Sequence, residues 1–191
     1  MLYAILQKVA RIVFPLAFGL KAIGVERFPK DGPVVLCSNH VSYWDPPVLG
    51  TFLDRRIHFM AKEELFRVPG LAWLIVRLGA FPVRRGGVSK DSIRRALDLL
   101  AEGRVVGIFP AGTRKADHPV GKRGAAMLAV RSGAVVVPAA IVGRYSPFGR
   151  LRVVYGEPID PAREDGGLSE ERLTERIMQA IEQLKKSAAA D

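Results

Sequence analysis

A histidine and an aspartate five residues apart carry the first chemistry legible in this chain: His40 and Asp45, within Asn39-His40-Val41-Ser42-Tyr43-Trp44-Asp45. A second segment, Phe109-Pro110-Ala111-Gly112-Thr113-Arg114, combines a glycine turn with an arginine. Both read as loops at the downstream end of an apolar run. A neutral imidazole can accept a hydroxyl proton while the oxygen attacks an acyl thioester. A carboxylate on the other ring nitrogen fixes the tautomer and stabilises the imidazolium that forms. The residues between His40 and Asp45 leave enough chain for the two side chains to meet. With an anion-binding loop added, these are the parts for moving an acyl group onto a hydroxyl of a phosphorylated acceptor.

Each part has a plainer reading. Asp45 is followed by Pro46 and Pro47, the pattern of a helix N-cap with proline in the first turn. Cys37 lies close to His40, but inside an apolar run with no cation beside it, so it reads as a buried small hydrophobe rather than a nucleophile. Arg84 and Arg85 precede Gly86-Gly87, and the planar fork of arginine suits bidentate phosphate binding. Lys62 can add a point charge to the same rim. Gly112 allows close backbone approach to a ligand, and its neighbours' N–H groups can form an anion nest beside Arg114 and Lys115. Taken singly, each of these cations also reads as a solvated surface charge. His58 and His118 have no evident partners. The histidines and the lone cysteine lack zinc-site spacing, and neither a P-loop nor a G-x-G-x-x-G occurs.

The elements that must hold these residues alternate in type. Strands are expected at residues 34–38, 57–61, 80–83, 105–109, 135–142 and 151–155. Helices are expected at 71–78, from Ser89 or Asp91 to Glu102 with Gly103 at the C-cap, at 122–132 ending at Gly133, and at 170–188. Such alternation predicts an α/β domain, residues 25–191, with a largely parallel central sheet flanked by helices. Ligands of such sheets bind beyond the carboxyl ends of the strands. His40, Arg84 and the 110–114 loop each follow a strand, so three loops are expected to converge on one rim.

Composition narrows the partners. The formal net charge is +10, and between Arg55 and Arg152 there are 19 Lys and Arg against 6 Asp and Glu, so a basic face toward an anionic partner is expected. A nucleic-acid partner is set aside, because aromatics are not interleaved with the arginines. One cysteine excludes an internal disulfide framework and fits a reducing compartment. Residues 1–24 form the most hydrophobic stretch, but Lys8 and Arg11 interrupt it and the uncharged run 12–20 is too short to cross a bilayer. Gln7, Lys8 and Arg11 share one helical face. The segment reads as amphipathic helices in a membrane interface, with Pro15 marking a kink or a second helix, or else as a helix packed on the domain's own core.

Taken together the motifs resemble those of the 1-acylglycerol-3-phosphate acyltransferase family of glycerolipid acyltransferases. Asn39-His40 with Asp45 matches the family's NHxxxxD block, and Gly79-Ala80-Phe81-Pro82-Val83-Arg84 its G-xxxx-R block. Phe109 to Arg114 resembles its FPEGTR block, and Val137-Pro138-Ala139-Ala140 its proline-centred fourth block. Ala61-Lys62-Glu63-Glu64-Leu65-Phe66 fits between the first two, and the match runs over residues 25–160. The resemblance implies a single displacement without metal or resident cofactor. His40 is the base, Asp45 its orienting partner, and acyl-CoA or acyl carrier protein the co-substrate. Lys62, Arg84 and Arg114 would hold the acceptor's phosphate, and backbone N–H groups at Gly112 and Thr113 the oxyanion. It further implies lysophosphatidate as acceptor, phosphatidate as product, and a peripheral or monotopic place on the cytoplasmic face of the cell membrane, against an anionic lipid surface. One departure stands out: the family carries glutamate where this chain has Ala111. That leaves two alternatives, another acceptor (a different lysolipid or glycerol 3-phosphate) or a catalytically weak lipid-binding protein of the membrane surface.

Overall fold

The computed structural model describes residues 2–83, 90–111, 123–147, 149–163 and 167–190. In chain order the elements are α1 (Leu2–Phe18), β1 (Lys21–Ile23), β2 (Val34–Ser38), α2 (Asp45–Gly50), β3 (Ile57–Lys62), α3 (Leu71–Arg77), β4 (Phe81–Val83), α4 (Lys90–Ala101), β5 (Val105–Ile108), α5 (Gly124–Ser132), β6 (Val135–Val142), β7 (Arg152–Tyr155) and α6 (Glu170–Ala190). Among the described residues the strands form one seven-stranded sheet, ordered β1-β7-β6-β2-β5-β3-β4. β6, β2, β5, β3 and β4 run parallel to one another; β7 is antiparallel to β6 and parallel to β1.

β2 shows why the sheet sits at the centre. All five of its residues are buried, as expected for a parallel strand covered on both faces. Alternate side chains serve opposite layers. Val34 and Leu36 join Phe14, Leu49 and Leu53 beneath α1 and α2. Val35 and Cys37 join Leu99, Leu100, Leu128, Leu173 and Ile177 beneath α4, α5 and α6. The result is three layers, helix on sheet on helix.

α1 is one continuous helix through Pro15, with neither a break nor a second helix. It ends at Gly19, whose N–H bonds the Pro15 carbonyl at 2.9 Å and whose φ of 64° turns the chain out of the helix. Gln7, Arg11, Phe14 and Phe18 fall on its inner stripe. Gln7 donates to the Gly50 and Leu53 carbonyls at 2.8 and 2.6 Å, and Arg11 to the Thr51 carbonyl at 2.9 Å. The polar side chains therefore satisfy carbonyls at the end of α2. Ile5, Val9, Ile12 and Leu16, at i, i+4, i+7 and i+11, face outward, Leu16 with 82% exposure. The sheet also begins inside the segment expected to be purely helical, because Lys21–Ile23 pairs with Arg152–Val154 of β7.

Candidate active site

The five mutually parallel strands end on one edge of the sheet, and the site is built where the central one, β2, stops. Asn39, the residue after β2, accepts the Ile141 N–H at 2.7 Å and donates to the Ile141 carbonyl at 2.9 Å. Its side chain thus imitates one further rung of the ladder to β6 and clamps the loop on which His40 sits.

His40 Nδ1 and Asp45 Oδ2 are 2.6 Å apart. The same oxygen accepts the N–H groups of Val41 at 2.6 Å and Ser42 at 2.9 Å. The other oxygen, Oδ1, accepts the Tyr145 hydroxyl at 2.6 Å. Asp45 is 0% exposed and the His40 side chain 20%. A buried carboxylate would be costly without partners; this one has four. Its backbone bonds reach back into the loop and not forward into α2. The reason is chemical: the two residues after it, Pro46 and Pro47, carry no N–H to cap. Asp45 therefore closes the histidine loop, and the N-cap reading does not hold.

Phe109, at the end of β5, stacks on the imidazole with ring centres 4.0 Å apart. Phe59 stacks behind Phe109 at 5.6 Å. With Nδ1 taken by Asp45 and one ring face covered, Nε2 has no hydrogen-bond partner among the described residues. The arrangement leaves Nε2 open to act as a hydrogen-bond acceptor.

Lys62 is exposed at the end of β3, opposite Val83 of β4. Its strand lies two places from β2, about 10 Å across the sheet. Arg84, Gly112, Thr113 and Arg114 lie outside the described residues, as do Arg85, Lys115 and His118. Ala111, the last described residue of its loop, is half-buried. Cys37 is fully buried inside β2, and burial pushes its thiol up, so it is not a nucleophile. His58 Nδ1 lies 3.1 Å from the Gly79 carbonyl.

Three contributors escaped the sequence reading: the Asn39 clamp, the Phe109 stack and the Tyr145 hydroxyl. Asn39 and Phe109 stood inside the motifs, but a motif does not say what a side chain touches. Tyr145 follows β6 as His40 follows β2, so asking which side chains lie just past every parallel strand would have found it.

The sequence model of the family described as Acyltransferase matches residues 19–142. A Bacillus subtilis (strain 168) protein named 1-acyl-sn-glycerol-3-phosphate acyltransferase is 34% identical over 96% of this chain and 97% of its own length. An Arabidopsis thaliana chloroplastic protein named 1-acyl-sn-glycerol-3-phosphate acyltransferase LPAT1 is 32% identical over 74% of this chain; the match spans 44% of that longer protein. Among solved structures, the 1-acyl-sn-glycerophosphate acyltransferase PlsC from Thermotoga maritima superposes with a TM-score of 0.78 at 28% identity, covering 98% of this chain and 78% of that one.

Proposed function

The chain belongs to the acyltransferase family, and on that premise we propose that it moves a fatty acyl group from an acyl thioester to the free hydroxyl of 1-acylglycerol 3-phosphate, giving phosphatidate. The observation that carries this reading is the 2.6 Å contact between His40 Nδ1 and the buried Asp45 carboxylate, at the carboxyl end of the central strand. The names of the B. subtilis and T. maritima relatives support the acceptor.

The chemistry runs as follows. His40 Nε2 takes the proton of the acceptor hydroxyl as its oxygen attacks the thioester carbonyl carbon. Asp45 holds the ring through Nδ1 and stabilises the imidazolium. The tetrahedral oxyanion collapses, the C–S bond breaks, and the imidazolium returns its proton to the leaving thiolate. Lys62, Arg84 and Arg114 are assigned to the acceptor's phosphate, and backbone N–H groups at Gly112 and Thr113 to the oxyanion. The donor is acyl-CoA or acyl carrier protein; a basic surface suits both. No resident cofactor enters this scheme.

The same reading puts the protein on the cytoplasmic face of the cell membrane, peripheral or monotopic, against anionic lipid. The outward apolar stripe of α1 and the net charge of +10 support it. Among the described residues no helix is long and apolar enough to cross a membrane. Ala111 favours a second reading, in which the chain binds lipid at the membrane surface but transfers acyl groups weakly.

The test is acyl transfer to lysophosphatidate from each donor, with His40→Ala alongside. Loss of at least about 100-fold is expected, the low end of a general base's contribution. Full activity of His40→Ala would end this assignment. An inactive chain rescued by Ala111→Glu would favour the second reading.

A further inference from the structure

We infer that Tyr145 is a positioning residue for acyl transfer, acting through the second oxygen of Asp45; the inference rests on the reading of His40 as base.

Among the described residues, Asp45 is the one charged side chain that is buried. Its Oδ2 is crowded with three donors, His40 and the two loop N–H groups. Held through that atom alone, the carboxylate could still pivot and carry the histidine ring with it. The Tyr145 hydroxyl on Oδ1, at 2.6 Å, supplies the second anchor, from a residue 100 positions away in sequence. Two-point anchoring fixes the carboxylate plane, and so the direction in which Nε2 points. Small errors in that direction are costly, since general-base transfer needs hydrogen-bond geometry at the attacking hydroxyl.

The surroundings suit a permanent donor. Burial, with the bond to Asp45 adding to it, pushes the Tyr145 phenol far above its ordinary value, which favours the protonated, donating form. Phe18 meets the Tyr145 ring edge-on at 5.5 Å, which fixes the ring independently of its hydroxyl. Tyr155 makes the contrast. Its hydroxyl donates to the Leu49 carbonyl at 2.6 Å, inside the core and on no charged group. Tyr155 ties a strand to a helix; Tyr145 reaches the group that orients the base.

The experiment measures kcat and KM for Tyr145→Phe, with His40→Ala as the reference for the base. Phenylalanine keeps the ring and its contact with Phe18 and deletes only the donor. A fall in kcat of about 3- to 10-fold is expected, the loss of one hydrogen bond, with KM for both substrates little changed; the melting temperature falls too, because Oδ1 of the buried Asp45 loses its donor. Replacing Tyr145 with p-aminophenylalanine, which keeps an N–H donor at the same position, should restore most of kcat. Because a purely structural hydroxyl would lower the melting temperature and leave kcat of the folded enzyme unchanged, kcat separates the two roles. An inactive His40→Ala with an unimpaired Tyr145→Phe overturns the inference alone. A kcat that falls but is not restored by p-aminophenylalanine also overturns it. A fully active His40→Ala removes the reading on which it rests.

Discussion

Phe109 lies face to face with His40, ring planes 17° apart. The imidazole is therefore fixed by a hydrogen bond in its plane and by an aromatic surface against its face. The two restraints act on different rotations of the side chain.

Replacing that surface should loosen the ring without removing the base. For Phe109→Leu we expect kcat to fall by about 3- to 10-fold, in line with the 0.5–1.5 kcal/mol of such ring pairs. Steady-state kinetics with lysophosphatidate checks it; an unchanged kcat would mean that the stack does not hold the base.

Gly107 underlies the same stack. A methyl on its Cα would overlap the Phe59 ring at Cε1. Gly107→Ala should displace the Phe59 ring from its stack and cost about 1–3 kcal/mol, the usual penalty for overpacking. Urea unfolding measures the stability, and the assay should show a loss of activity alongside it.

The two faces of α1 should respond differently. Ile12→Glu with Leu16→Glu puts charges on the outward stripe, so sedimentation with anionic vesicles should drop sharply while stability shifts within about 0.5 kcal/mol. Gln7→Ala removes two bonds to α2 carbonyls and should cost about 1–2 kcal/mol of stability instead. Vesicle binding that survives the double glutamate change would count against the interfacial role. Deleting residues 1–24 is a poorer test, because it also removes the buried Phe14 and the strand β1.

His58 predicts a pH effect on stability. Burial, followed by the charge of Arg56, holds its imidazole below the ordinary value of 6.5. The unfolded chain therefore takes up this proton first as the pH falls. The stability lost begins near the unfolded value, about 6.5, and grows until the pH passes the lower folded one. His58→Gln should flatten this part of the curve between about pH 7 and pH 5. Chemical unfolding at a series of pH values reads it; an identical slope in both proteins would contradict it.

Much of this molecule is written in local pattern. The apolar run of β2, the β-branched run of β6 and the glycine that closes α5 are short-range signals, and their elements stand within a residue or two of expectation. The short strand β1 was illegible, because three residues carry no periodicity and only pairing with β7 makes Lys21–Ile23 a strand. The direction of α1 was equally hidden. Its amphipathic pattern separates two faces, but not which one meets the protein. That was decided by the carbonyls at Gly50, Thr51 and Leu53, which need donors and find them in Gln7 and Arg11.

The site divides in the same way. A separation of five residues lets His40 and Asp45 meet through the local turn of one loop, so sequence alone determined that pair. Phe109, Tyr145 and Ile141 reach the same loop from two other strands. Their arrival depends on β5 and β6 flanking β2, and strand order is a long-range choice, made by which faces bury together. Only the tertiary structure could therefore decide that the aspartate has a second anchor, and the imidazole a floor.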